Sequence, residues 1–160
     1  MNRGWVVGML GALVALVALL GGCGGGGGGD STTSAASEAP LTKAEVIRKG
    51  DAICQVGNEA SQTEIEKFAK EKGFGSSEPS KAQFEEIVTE VLVPNLEQQA
   101  DELDALVPPA EDQDEIDAIV AALRESISAI AKDPNTLEGS VLAKPIQLEN
   151  AYGFKVCGGG

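Results

Sequence analysis

Three cysteines, at positions 23, 54 and 157, and 25 carboxylates are the side chains in this 160-residue chain with chemistry to offer. A cysteine can carry a lipid, close a disulfide, bind a metal or attack as a thiolate. Paired carboxylates can act as general acid and base or hold a hard cation. Histidine is absent. That removes Ser-His-Asp and Cys-His catalysis, His-ligated zinc and the commonest general base near neutral pH. Four Phe, one Tyr and one Trp leave little aromatic surface for gripping sugars or bases. A formal net charge of −13 repels phosphate backbones and anionic head groups, which argues against nucleic-acid partners.

Cys23 closes a three-part segment. Asn2 and Arg3 supply a short positive start, Trp5 to Leu20 is an uncharged apolar run of sixteen residues, and Leu20-Gly21-Gly22-Cys23 follows. Positive charge, an apolar stretch and small residues, in that order, make an export signal. The last four residues resemble the lipobox of bacterial lipoproteins: one aliphatic residue, two small ones, then cysteine. The resemblance implies a diacylglycerol on the Cys23 thiol and removal of residues 1–22 as signal peptide. Acyl chains at about 0.8 kcal/mol per buried methylene, two or three together, hold a protein firmly to a bilayer. Two other readings stay open here: a retained membrane-spanning anchor, for which the apolar run is near the lower length limit, or ordinary cleavage leaving a plain thiol.

Six glycines, Asp30 and the stretch STTSAASEAP then carry the chain to residue 40. Such a composition builds no core and behaves as flexible coil reaching roughly 20–25 Å. Residues 23–40 therefore read as a lipidated cysteine and tether, and residues 41–160 as an acidic folded domain outside the cytoplasm.

The elements that must position the remaining groups are helical. Thr42 and Glu45 form a capping-box pattern ahead of Val46, Ile47, Gly50, Ile53, Cys54, Gly57, Ala60, Ile65, Phe68 and Ala69, spaced by threes and fours. Gly73 ends that segment. Ser80 and Gln83 repeat the capping box before Phe84, Ile87, Val88, Val91, Leu92, Leu96, Leu103, Leu106 and Val107. Pro94 interrupts this second helix, and the expectation is a kink there, with a split into two shorter helices as the alternative. After Pro108-Pro109, a third helix carries Ile116, Ile119, Val120, Leu123, Ile127 and Ile130, and Lys132-Asp133-Pro134 closes it. A weaker fourth includes Val141, Leu142, Ile146, Leu148, Ala151 and Tyr152, started or bent by Pro145 and capped by Gly153 with Phe154 packing back. No strand-like alternation persists. The prediction is an all-α bundle of about four helices.

With Cys23 assigned to lipid, Cys54 and Cys157 remain in an oxidising compartment and read as a disulfide joining the C-terminal tail to the first helix. A loop of about 100 residues corresponds to about 4.7 kcal/mol in the chain-entropy account. Redox or metal use of these thiols is the alternative, without a Cys-x-x-Cys or a histidine to support it.

The runs Lys43-Ala44-Glu45, Asp51-Ala52-Ile53-Cys54 and Asn58, with Val93-Pro94-Asn95-Leu96 and Tyr152-Gly153-Phe154-Lys155-Val156-Cys157-Gly158, resemble a group of small actinobacterial lipoproteins. In these an early Ala-Asp-Ala-Ile-Cys motif and a late Tyr-Gly-x-x-x-Cys-Gly motif frame a helical domain. The resemblance implies the same location, disulfide and fold class, and brings no catalytic residues. This chain departs from it in having Gly50 where alanine is expected, a change that weakens a helix by about 1 kcal/mol.

Function reads as non-enzymatic: an interaction or scaffolding module for an envelope protein or peptide, with no cofactor and no metal. Its candidate surfaces are Glu85, Glu86 and Glu90 on the second helix and Glu111, Asp112, Asp114 and Glu115 at the head of the third. These charges equally suit a solvated face. The alternative is a small apolar ligand held between helices by Phe84, Val88, Leu92 and Ile127, residues that a plain core also requires. Asp112-x-Asp114 is not an EF-hand loop, because Asp117 stands where glycine belongs and Leu123 where the twelfth-position glutamate belongs.

Overall fold

The structure, a computed structural model, describes residues 39–75 and 78–159. The expected signal segment, Cys23 and all but the last two residues of the tether lie outside them. Among the described residues the elements are helices alone, and no helix is long and apolar enough to cross a membrane. They are α1 (Lys43–Glu71), α2 (Lys81–Ile87), a π-helical turn (Val88–Leu92), α3 (Val93–Asp104), α4 (Gln113–Lys132) and α5 (Ala143–Tyr152), with short 3₁₀ turns at Ala110–Asp112 and Pro134–Glu138. Because α2, the π turn and α3 run on without a break, the described residues form a bundle of four rods. α4 packs on both α3 and α5, and α1 packs on α3.

Local chemistry sets the helix ends. The Thr42 hydroxyl accepts from the Glu45 N–H while the Glu45 carboxylate accepts from the Thr42 N–H at 2.8 Å. Ser80 and Gln83 make the same reciprocal pair. α1 stops at Gly73, whose φ of 68° suits glycine. There Phe74 N–H donates to the Ala69 carbonyl at 2.8 Å and Gly73 N–H to the Lys70 carbonyl at 3.2 Å, a Schellman closure.

Pro94 neither splits its helix nor leaves an ordinary α-helical ladder. Proline has no N–H and its ring crowds the carbonyl four residues back. The chain meets this by widening just before it: Val93 N–H reaches five residues back to the Val88 carbonyl, and helical backbone angles run through Ile87, Val88, Leu92 and Val93. The irregularity expected at Pro94 is thus a π turn.

The core is built on α4, whose Ile116, Ile119, Val120, Leu123, Ile127 and Ile130 are all buried. α1 contributes less than its apolar spacing suggested. Val46, Gly50, Cys54 and Gly57 are buried, but Ala60, Ile65, Phe68 and Ala69 are only half-buried. Val107, expected on the second helix's stripe, lies past the end of α3 and is exposed.

Gly50 is where the helix-propensity expectation misleads. A Cβ there would sit 2.9 Å from Cζ of Phe154 and 3.2 Å from Cδ2 of Leu103, and both of those side chains are fully buried. Glycine at this position lets the C-terminal tail lie directly on α1. Gly57 does the same for α3, since a Cβ there would come within 2.7 Å of Gln99 Cγ.

Candidate binding cavity beside the disulfide

Cys54 and Cys157 are bonded, with their Cα atoms 5.2 Å apart across 103 residues of sequence. The tail that carries Cys157 is held at two further points. Asp51, one turn before Cys54 on α1, accepts from the Lys155 N–H at 2.9 Å and the Val156 N–H at 2.8 Å. Asn150 donates through its side-chain nitrogen to the Gly158 carbonyl at 2.8 Å. A left-handed turn makes this possible: Gly153 takes φ of 122°, its N–H and that of Phe154 both donate to the Glu149 carbonyl at 3.0 Å, and the chain reverses towards α1. The glycine cap expected at Gly153, with Phe154 packing back, is present.

The tail closes one side of a cavity of about 190 Å³ between α1, α3, α4 and α5. Leu96, Leu123, Leu142, Pro145, Ile146 and Val156 give it an apolar lining, and the disulfide forms part of the wall. Three polar side chains also line it: Asn58 from α1, Gln99 from α3 and Glu149 from α5. Gln99 belongs to a buried polar chain, donating to Asn95 Oδ1 at 2.7 Å, while Asn95 donates to the Gly57 carbonyl at 3.1 Å.

Glu149 is the unusual member. It is 4 % exposed, and its carboxyl has no hydrogen-bond partner among the described residues. Burial, and secondarily the negative charge of Asp51, pushes its pKa up to about 7. A buried acid titrating near neutrality inside an apolar cavity combines the features that mark ligand and active sites.

The residues expected to line a pocket lie elsewhere. Val88 and Ile127 are buried in the core, Phe84 and Leu92 pack against it, and none of the four lines this cavity. The acidic clusters are largely committed to internal partners. Glu85 accepts from Asn135 at 3.1 Å, and Glu86 pairs with Lys72. Asp112 accepts from the Tyr152 hydroxyl at 2.9 Å and Glu115 pairs with Lys43 at 3.3 Å. Lys43 also lies 4.1 Å from the centre of the Tyr152 ring. Burial, with the hydrogen bond to Asp112, raises the Tyr152 pKa well above its usual value, so the phenol stays a donor. Of the seven acids, Glu90, Glu111 and Asp114 are exposed and free of such contacts among the described residues. No group of three or more acids and thiols among the described residues is placed to hold a metal ion.

Sequence reasoning missed Glu149, yet a signal was present. Leu142, Pro145, Glu149 and Tyr152 follow steps of three, four and three, which sets the acid on the apolar face of α5. Asp51 holds the equivalent place on α1 between Ile47 and Cys54. No family model matches the chain, and no curated protein or solved structure is detectably similar to it.

Proposed function

We propose that this chain is a lipoprotein anchored through Cys23 to the outer face of a bacterial cell membrane, where it holds its stapled helical domain as a non-enzymatic binding module. The signal-like segment ending in Leu20-Gly21-Gly22-Cys23 supports the anchor. The disulfide suits an extracytoplasmic site, where such bonds persist. Of the two kinds of partner the sequence suggests, the geometry favours a small ligand over a docked protein. The observation that carries this choice is the cavity beside the disulfide, apolar but for Asn58, Gln99 and the unpartnered Glu149. The acidic faces support protein docking less well, because four of their seven carboxylates are engaged within the domain.

The test is native mass spectrometry of the full chain extracted from bacterial membranes in mild detergent, after growth with an alkyne fatty acid. The expected result is a chain beginning at Cys23 that carries the label and a co-purified small molecule. Cys23→Ala should lose the label and the membrane association, and the cavity-filling variant Ile146→Trp should lose the small molecule alone. An unlabelled wild type counts against the anchor. A labelled wild type that never carries a small molecule, but is captured with an envelope protein, restores the docking reading.

A further inference from the structure

We propose that the cavity beside the Cys54–Cys157 disulfide takes a small organic ammonium compound, with the charged nitrogen against Glu149 and the apolar body against Leu123 and Ile146. This rests on the reading of that cavity as a ligand site, and it names the class of ligand.

The first reason is the position of Glu149. It is 4 % exposed, its carboxyl accepts no hydrogen bond from the described residues, and it lines the cavity with its carboxyl oxygens still within reach of solvent. A carboxyl in that setting is open to a partner from outside the chain, and a ligand that takes it out of water must supply the compensation. The second reason is donor and acceptor matching. Gln99 gives one of its two amide N–H groups to Asn95 at 2.7 Å, and its amide oxygen accepts from none of the described residues. Asn58 brings a second amide to the same wall. An ammonium carries three donors and no acceptor, which suits one carboxylate and two amide oxygens.

The third reason is charge. From α1, Asp51 faces Glu149 closely enough for its charge to be felt there. α3 brings Leu96 and Gln99 to the lining, α4 brings Leu123, and the tail brings Val156, Cys157 and Gly159, none of which is a cation. Lys155 is exposed. An incoming cation thus meets negative potential without a resident competitor, whereas an anion meets repulsion. An engineered cavity of about 150 Å³ takes benzene, so about 190 Å³ accommodates about eight non-hydrogen atoms, and because this cavity is open on one side that figure applies to the part of the ligand that enters.

Burial holds Glu149 protonated up to about pH 7, so a cation must displace that proton as it binds. If only the ionised form holds the ammonium, affinity falls about ten-fold between pH 8 and pH 6. The experiment uses the full chain in lipid nanodiscs and follows the methyl NMR signals of Ile146 and Leu123. Benzylammonium, benzyl alcohol and benzoate are the probes, at free concentrations measured against empty discs. The expected result is saturable shifts with benzylammonium, tightest of the three at pH 8 and about ten-fold weaker at pH 6. Benzyl alcohol should bind more weakly and with little dependence on pH. In Glu149→Gln, benzylammonium should lose its advantage over the alcohol. Alcohol or benzoate binding as tightly as benzylammonium at pH 8 overturns the ammonium assignment and leaves the cavity a ligand site. If none of the three moves those methyl signals, both readings fall.

Discussion

Gly50→Ala sets two effects of opposite sign against each other at one atom. Helix propensity favours alanine over glycine by about 1 kcal/mol in a helix interior. Packing opposes it, because the new methyl would lie 2.9 Å from Phe154 Cζ and 3.2 Å from Leu103 Cδ2. Neither side chain can swing into solvent, since both are fully buried. The backbone under Phe154 is pinned as well, by the Asp51 bonds to Lys155 and Val156 and by the disulfide at Cys157. Overpacking costs about 1–3 kcal/mol, and a contact under 3.0 Å with fully buried neighbours belongs in the upper half of that range, about 2–3 kcal/mol, so a net loss of about 1–2 kcal/mol remains after the propensity gain. For a domain of this size that lowers Tm by roughly 4–8 °C. Urea and thermal unfolding followed by circular dichroism measure it. Adding Phe154→Leu should relieve the clash, making the double variant more stable than the sum of the two single losses allows. A Gly50→Ala domain as stable as the wild type, or about 1 kcal/mol more stable, would refute the packing of the tail on α1.

Replacing Cys54 and Cys157 together by alanine should lower stability by about 2–5 kcal/mol, seen as a lower urea midpoint that matches the wild type measured in reductant. Asp51→Asn removes a charged acceptor from the Lys155 and Val156 N–H groups and should destabilise by about 1–3 kcal/mol, with faster hydrogen exchange at those two amides. Glu149→Gln should change how stability varies with pH. The folded state keeps the Glu149 proton up to about pH 7, whereas the unfolded chain releases it near the ordinary glutamate value of 4.5. Stability from this group is therefore full below the unfolded pKa and is lost as pH rises through the folded one. The loss is about 3 kcal/mol at most, and less where water reaches the carboxyl through the cavity mouth. The wild type should weaken relative to Glu149→Gln between pH 5 and pH 8; parallel stability profiles would show that the acid is solvated after all.

Much of the scaffold was legible because it depends on local patterns. The capping boxes at Thr42 and Ser80 and the apolar stripe of α4 sit where their spacing placed them. Other features depend on what meets what across the fold, and spacing is silent about that. The stripe of α1 runs to Ala69, but no residue after Gly57 is fully buried, because the short α2 covers the far half of a 29-residue helix only in part. The helix-propensity cost of Gly50 is legible in the sequence, and the close approach of Phe154 that requires glycine there is not. Pro94 was recognisable as an irregularity, while its form as a π turn depends on which carbonyl Val93 reaches. At the site, the disulfide pair was legible by elimination, and the cavity that it walls was not. Its lining comes from five segments of chain, and its key acid looked like one more surface charge in a sequence rich in them.

Why the domain keeps Glu149 follows from comparing the forces around it. A glutamine or an aliphatic side chain at the same place on α5 would spare the fold a desolvated acid, and buried acids of this kind persist where a site needs them. The tail beside it is secured three times over, by the disulfide, by Asp51 and by Asn150. Stability alone does not account for where those restraints fall. They act on residues 155–158, and Val156 and Cys157 are the very segment that forms the cavity wall. With that wall detached, more water would reach Glu149, its pKa would relax towards the ordinary carboxylate range and the apolar lining would open. The staple therefore does two things at once: it restricts the unfolded chain, and it holds in place the wall beside this nearly buried acid. Of the two, only the second explains why the restraints and the acid share one corner of the molecule.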